Sequence, residues 1–173
     1  MFKSLLGALT ASLALVAPAQ AQEPIKIGMV LEMSGAFADF GMQMTNGARA
    51  YMKAHGDTVA GRKVVLIVKD TTGAPDVARR VAQELLTNDK VDFLAGFGLT
   101  PSALSVAQLA TEAKKPMIVM NAATSIITTR SPYIARVSFT LPQVTAPLAT
   151  WAVKNGVTRA YTLVADYGPG IDA

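Results

Sequence analysis

Beyond the N-terminal stretch, hydrophobic positions along the chain follow two alternating patterns. Short, nearly continuous apolar runs take turns with longer segments whose apolar residues recur three and four positions apart. IKIGMVLEM reads as a strand, and FGMQMTNGARAYMKAHG after it as a helix with Met44, Ala48, Tyr51 and Met52 on one face. VVLIVKD is a second, β-branched strand. In APDVARRVAQELLTND, Val77, Val81, Ala82, Leu85 and Leu86 share a helical face. Pro75 suits the first turn of that helix, and Asp76 the positive end of its dipole. VDFLAGF is a third strand, and Pro101 opens an alanine-rich helix running to about Ala113. PMIVM and IARVSF read as strands four and five. A helix is expected from around Val144 to Lys154, with Pro147 in its first turn and Asn155-Gly156 as its C-terminal stop. RAYTLVAD is predicted as a last strand.

Continuous apolar strands alternating with amphipathic helices predict an α/β fold, a parallel sheet with helices on both faces. The chain shows no repeat of 20–50 residues and no low-complexity stretch.

The N-terminal stretch follows neither pattern. Lys3 precedes an apolar-rich segment from Leu5 to Val16, and Ala19-Gln20-Ala21 forms a small-x-small site before Gln22. This is the design of a removable secretory leader over residues 1–21. The apolar segment is shorter than the roughly 20 residues a membrane span needs, and Pro18 interrupts it. A lipoprotein leader requires a cysteine just after it, and the sequence has none. The mature protein is therefore expected free in the periplasm and not as a lipoprotein.

Composition narrows the chemistry. The 173 residues are 51% hydrophobic and 16% charged, enough apolar material for a sizeable core and unlike a disordered chain. The absence of cysteine excludes disulfide scaffolds, thiolate zinc sites, iron–sulfur clusters and cysteine nucleophiles, and one histidine, His55, excludes a His-rich metal site. No metal and no cofactor is expected. The net charge of +4 is scattered, with no basic run longer than Arg79-Arg80 or Lys114-Lys115. Nucleic-acid faces need a dense basic patch, so no nucleic-acid partner is expected.

Ligands of open α/β sheets bind beyond the carboxyl ends of the strands, which singles out four loops. In MSGAFADFG, Phe37 and Phe40 are loop aromatics, and Phe40 either walls an apolar ligand or packs down on the sheet. In GFGLTP, Thr100-Pro101 opens a helix whose free amides form an anion site. Thr100 serves as an N-cap acceptor, as an O–H donor to a ligand, or as both. In MNAATS, Ala122, Thr124 and Ser125 present backbone groups and hydroxyls, or form an ordinary polar turn. In DYGPG, Tyr167 offers a ring and a phenol, or is a loop residue without a ligand role. Enzyme signatures are missing: no G-x-x-x-x-G-K-[ST], no H-E-x-x-H and no G-x-S-x-G. GFGLTP lacks the third glycine of a dinucleotide loop and does not follow the first strand. Asp70 is accordingly read as a turn residue, and His55 as a complement to a helix C-terminus.

Taken in order, IKIGMVLEMSGAFADFG…NGARAYM, the strand ending VKD with its P-x-x-A-x-x-x-A-x-x-L helix, AGFGLTPSALSVA, KPMIVMNAATS and VADYGPG resemble one family. It is the leucine/isoleucine/valine-binding family of periplasmic solute-binding proteins of ABC transporters. The resemblance implies a two-lobe Venus-flytrap of type I with a Rossmann-like first lobe, and no enzymatic activity. It places the first lobe, without its return segment, at residues 22–139, and the hinge crossing with the start of a second lobe at 140–173. That second lobe is expected to be incomplete, the chain being C-terminally truncated. It implies carriage of a small carboxylate-bearing ligand, first a branched-chain or other amino acid, to ABC permease subunits in the membrane. Aromatic or aliphatic acids, amides and a sensory role stand as alternatives, with a nucleotide-dependent enzyme the rival from another class. By the same resemblance Leu99, Thr100, Ala122 and Thr124 hold the ligand carboxylate, while Phe40 corresponds to a first-loop aromatic and Tyr167 to a second-lobe tyrosine of the binding site.

Overall fold

The computed structural model describes residues 22–173. The expected leader, 1–21, lies outside the described residues. Strand β1 (Ile25–Leu31) is central because its residues are apolar toward both faces. Gly28 and Val30 turn toward one layer of helices, Met29 and Leu31 toward the other. It pairs in parallel with β3 (Arg62–Asp70) on one side and β4 (Phe93–Gly96) on the other. Strands β5 (Met117–Val119) and β6 (Ile134–Arg136) extend the parallel sheet. Strand β2 (Thr58–Val59), absent from the sequence-based expectation, caps the edge antiparallel to β3. Ala60 and Gly61 join these two strands, both at positive φ. Two such residues match the right-handed twist of a tight hairpin. The full order is β2-β3-β1-β4-β5-β6.

Helices α2 (Pro75–Thr87) and α3 (Thr100–Ala113) cover one face. Ala78, Val81, Leu85, Val106 and Ala110 pack there against Val30, Leu94 and Val119. Helix α1 (Ala38–His55) lies on the other face, where Met44 meets Met29, Leu31 and Ala95. The expected α/β architecture is therefore observed. His55 ends α1 with its ring stacked on Tyr51.

Three local expectations are corrected. The last predicted strand does not form: residues 157–165 carry no regular secondary structure, and Leu163 is fully exposed. A doubly apolar strand persists only between neighbours that satisfy its backbone and cover its faces, and no strand pairs with it among the described residues. Helix α4 (Leu141–Lys154) starts earlier than expected, so Pro147 lies inside it and not in its first turn. The start is set by Thr140, whose amide donates to the Gln143 side chain at 2.8 Å. Finally, Phe37 and Phe40 are not in a loop. A 3₁₀ turn (Gly35–Phe37) runs straight into α1, so Phe40 sits in the helix's first turn.

Candidate functional site

The sheet order reverses direction at β1, with β3 to one side and β4 to the other. Crevices in such sheets open at the carboxyl ends beside this reversal. The chain leaves β4 through Phe97-Gly98-Leu99 and enters α3 at Thr100. It leaves β5 through Met120 to Thr124 and enters a 3₁₀ turn at Ser125–Arg130. Three backbone bonds weld these exits together: Phe97 N–H to Val30 O at 2.9 Å, Met120 N–H to Gly96 O at 2.8 Å, and Ala122 N–H to Phe97 O at 3.0 Å. The Asn121 side chain also donates to Gly98 O at 2.9 Å.

This welding brings Thr100 and Thr124 together. Both are buried, at 2% and 5% exposure, and their hydroxyl oxygens are 2.7 Å apart. The cap position of α3 is Leu99, and Thr100 is the first helical residue, with no side-chain cap bond present. The N-cap role for Thr100 is thus overturned: its hydroxyl faces Thr124 and not its own helix. Leu99 and Ala122 are buried beside the pair. Arg136, from β6, donates to the carbonyls of Ala122 and Thr124. Burial lowers its guanidinium from the ordinary value, and the nearby Asp172 carboxylate works in the opposite direction.

Helix α5 (Gly168–Asp172) closes over this cluster. A Cβ added at Gly168 would stand 3.3 Å from Thr100 Cγ2 and 3.5 Å from Thr124 Oγ1. Tyr167, the residue before it, is partly exposed at the rim. At the other end of α5, the Asp172 carboxylate accepts both the amide (2.8 Å) and the hydroxyl of Ser125. Ser125 thus donates both its amide and its hydroxyl to a carboxylate of this same chain.

Phe40 is half-exposed and stacks on Phe37 with ring centroids 5.9 Å apart. Phe37 and Leu99 both lie within van der Waals reach of a Cβ added at Gly73, which brings the aromatic pair to the Leu99 side of the cluster. The loop carrying the pair is held by Asp70. Its carboxylate accepts the Met33 amide (2.8 Å), the Ser34 hydroxyl (2.6 Å) and the Thr72 amide (2.8 Å). Burial pushes this carboxyl up, but those hydrogen bonds outweigh it and leave it below its ordinary value. Asp70 is therefore more than a turn residue, a role invisible without knowing that β1 and β3 end side by side.

An open groove of about 570 Å³ lies on the outer side of α3 between Leu104, Gln108, Glu112 and Arg130. Its polar groups are solvated helix surface, such as the Gln108–Glu112 pair, and none converge. The threonine cluster is the better candidate.

Residues 24–172 match a family model described as periplasmic binding protein. A curated relative from Brucella abortus (strain 2308), Leu/Ile/Val-binding protein homolog 6, is 41% identical over 160 residues, covering 92% of this chain and 41% of the relative. The chain thus spans about two fifths of the length of the curated relatives it matches. Among solved structures, a solute binding protein of an ABC transporter from Rhodopseudomonas palustris BisB5, in complex with 3,4-dihydroxy benzoic acid, superposes with a TM-score of 0.85. It is 53% identical, with 87% of this chain and 41% of that one covered. A solute binding protein of an ABC transporter from Rhodopseudomonas palustris HaA2, in complex with p-hydroxybenzoic acid, gives 0.84 at 47% identity over the same shares.

Proposed function

The chain belongs to the periplasmic binding protein family, and we propose that it serves as the solute-binding component of an ABC transporter for a small aromatic carboxylic acid. The observation that carries this reading is the buried pair of hydroxyls at the amino end of α3. Thr100 and Thr124 each bring one O–H to a point that helix amides make favourable for an anion. Leu99 and the Phe37–Phe40 stack supply apolar contact for a ring.

An amino acid, the ligand first expected, fits less well. The relatives at 53% and 47% identity were solved with hydroxybenzoic acids, which supports the aromatic choice. On this reading residues 22–139 form the first lobe and 140–173 lead into a second. Tyr167 and Gly168 approach the ligand from that side, and the protein acts outside the inner membrane without catalysing a reaction. Delivery is to the transporter's permease subunits.

Calorimetric titration with 3,4-dihydroxybenzoate, 4-hydroxybenzoate, catechol and leucine tests the proposal. The two acids are expected to bind, while catechol, which lacks the carboxylate, binds at least tenfold more weakly. Binding of leucine with no response to either aromatic acid would restore the amino-acid reading.

A further inference from the structure

Glu32 follows directly on β1 and is completely buried. Its Oε2 accepts the Gly98 amide at 3.2 Å. A Cβ at Gly98 would stand 2.3 Å from that oxygen, so the loop leaves room for the carboxyl and for little else. The other oxygen, Oε1, makes no hydrogen bond of full length and angle, and neither does the buried Ser102 hydroxyl, although that hydroxyl lies close enough to favour the charged carboxylate. An orphaned pair of this kind is uncommon in a buried core.

No cation among the described residues offsets the group. Helix α1 packs its Gly41 against the Glu32 backbone carbonyl, and its Met44 lies beside Gly98; the start of α3 faces the carboxyl with Leu99 and Ser102. The adjoining strand β3 ends in Asp70, another acid, already engaged by Met33, Ser34 and Thr72. No ion pair among the described residues includes Glu32. Burial accordingly raises its carboxyl above the ordinary value, against the opposing pull of its own amide, the Ser102 hydroxyl and the Gly98 and Leu99 amides.

Glu32 therefore shares the amino end of α3 with Thr100. Ionised, it sets a negative charge within the same helical turn that is read above as receiving a ligand carboxylate. Neutral, it keeps the Gly98 bond and places an O–H beside the unpartnered Ser102 oxygen.

We propose that Glu32 is a positioning residue of the carboxylate site, holding the Gly98–Thr100 loop and taking up a proton when a carboxylate ligand binds. The proton passes from the buffer to Oε1, and no bond in the ligand changes. The proposal rests on the reading of the ligand as a carboxylic acid.

The test is titration of the chain with 3,4-dihydroxybenzoate between about pH 5 and 8, in buffers of different ionisation enthalpy. Wild-type protein is expected to take up as much as one proton per ligand. Its affinity should fall with rising pH, approaching about tenfold per pH unit above the pKa of Glu32 in the free protein. Glu32→Gln keeps an acceptor for Gly98 and should bind with no uptake and a flat profile. Glu32→Leu removes the loop bond and should bind more weakly at every pH, also with a flat profile. Equal uptake in wild type and Glu32→Gln, or none in either, overturns the proposal. If no acid binds, the ligand reading falls instead. Glu32 is then read directly through its carboxyl ¹³C titration in the unliganded chain, where a midpoint in the ordinary range near 4 overturns its role as well.

Discussion

The hydroxyls of Thr100 and Thr124 are hydrogen-bonded to each other at 2.7 Å, although 24 residues separate them. Two hydroxyls in mutual contact use one proton between them and keep the other to donate. A carboxylate that inserts between them accepts from both, and exchanges one neutral hydrogen bond for two charge-assisted ones. On the proposed reading the pair is satisfied without ligand and better satisfied by a bound carboxylate.

Thr124→Val keeps the shape and removes one donor. A hydrogen bond to a charged group contributes about 1.5–3 kcal/mol, so affinity for 3,4-dihydroxybenzoate should fall about 10- to 150-fold. Removing the ligand's carboxylate should cost the variant less than it costs the wild type. Equal losses in calorimetric titrations of the two proteins would mean that Thr124 does not touch the carboxylate.

The same pair sets a stability expectation that needs no ligand. Either single Val substitution leaves a buried hydroxyl alone, at a cost of about 1–2 kcal/mol. The double variant Thr100→Val/Thr124→Val removes both polar groups and should recover most of that loss. Urea unfolding of the three variants reads the cycle, and simple additivity would contradict direct pairing.

Gly168 packs its backbone over the two threonines. Gly168→Val fills the space a ligand must enter, yet sits at the end of a short surface helix where little core depends on it. Ligand affinity should fall more than about tenfold while the urea midpoint moves by less than the equivalent of about 1 kcal/mol. A large loss of stability with intact affinity would place Gly168 in the fold and not in the site.

Asp172 and Ser125 fasten α5 to the 3₁₀ turn that follows β5. Asp172→Asn weakens both bonds, and Ser125→Ala removes one. Amides of residues 168–172 should exchange with solvent faster in either variant, and the double variant should gain less than the two single effects combined. Unchanged exchange would show that α5 is held by packing instead.

Asp70 is shifted below its ordinary value, so it binds its proton less readily in the folded chain than in the unfolded one. Its contribution is fully present above the ordinary carboxylate pKa of about 4 and is lost as pH falls through the lower, folded value. Asp70→Asn should cost about 1 kcal/mol at neutral pH and flatten the acid limb of the stability profile. Glu32 acts with the opposite sign, because its raised carboxyl favours the folded state at low pH and loses that effect as pH rises through its folded pKa. Stability profiles of Asp70→Asn and Glu32→Gln should therefore depart from wild type at opposite ends.

Much of the fold is legible from the order of residues. Apolar runs and helical spacing identify β1, β3, β4 and β5 and helices α1 to α3, because burial of one face or two is a local property of the pattern. The same logic fails for residues 157–165, whose β-like composition becomes a strand only beside a partner. It also fails for β2, two residues long and defined by a turn more than by hydrophobicity.

Candidate residues divide in the same way. Thr100, Ala122 and Thr124 are visible beforehand as residues at the carboxyl ends of strands, where ligands of such sheets bind, and Leu99 only through the family resemblance. That the two hydroxyls meet, that Arg136 takes the carbonyls beside them, and that Glu32 turns inward beneath Gly98 all follow from the order of strands in the sheet. Hydrophobic periodicity records how deeply each residue is buried. It carries no record of which distant loop lies opposite, because that contact is made only when β1, β4 and β5 align side by side.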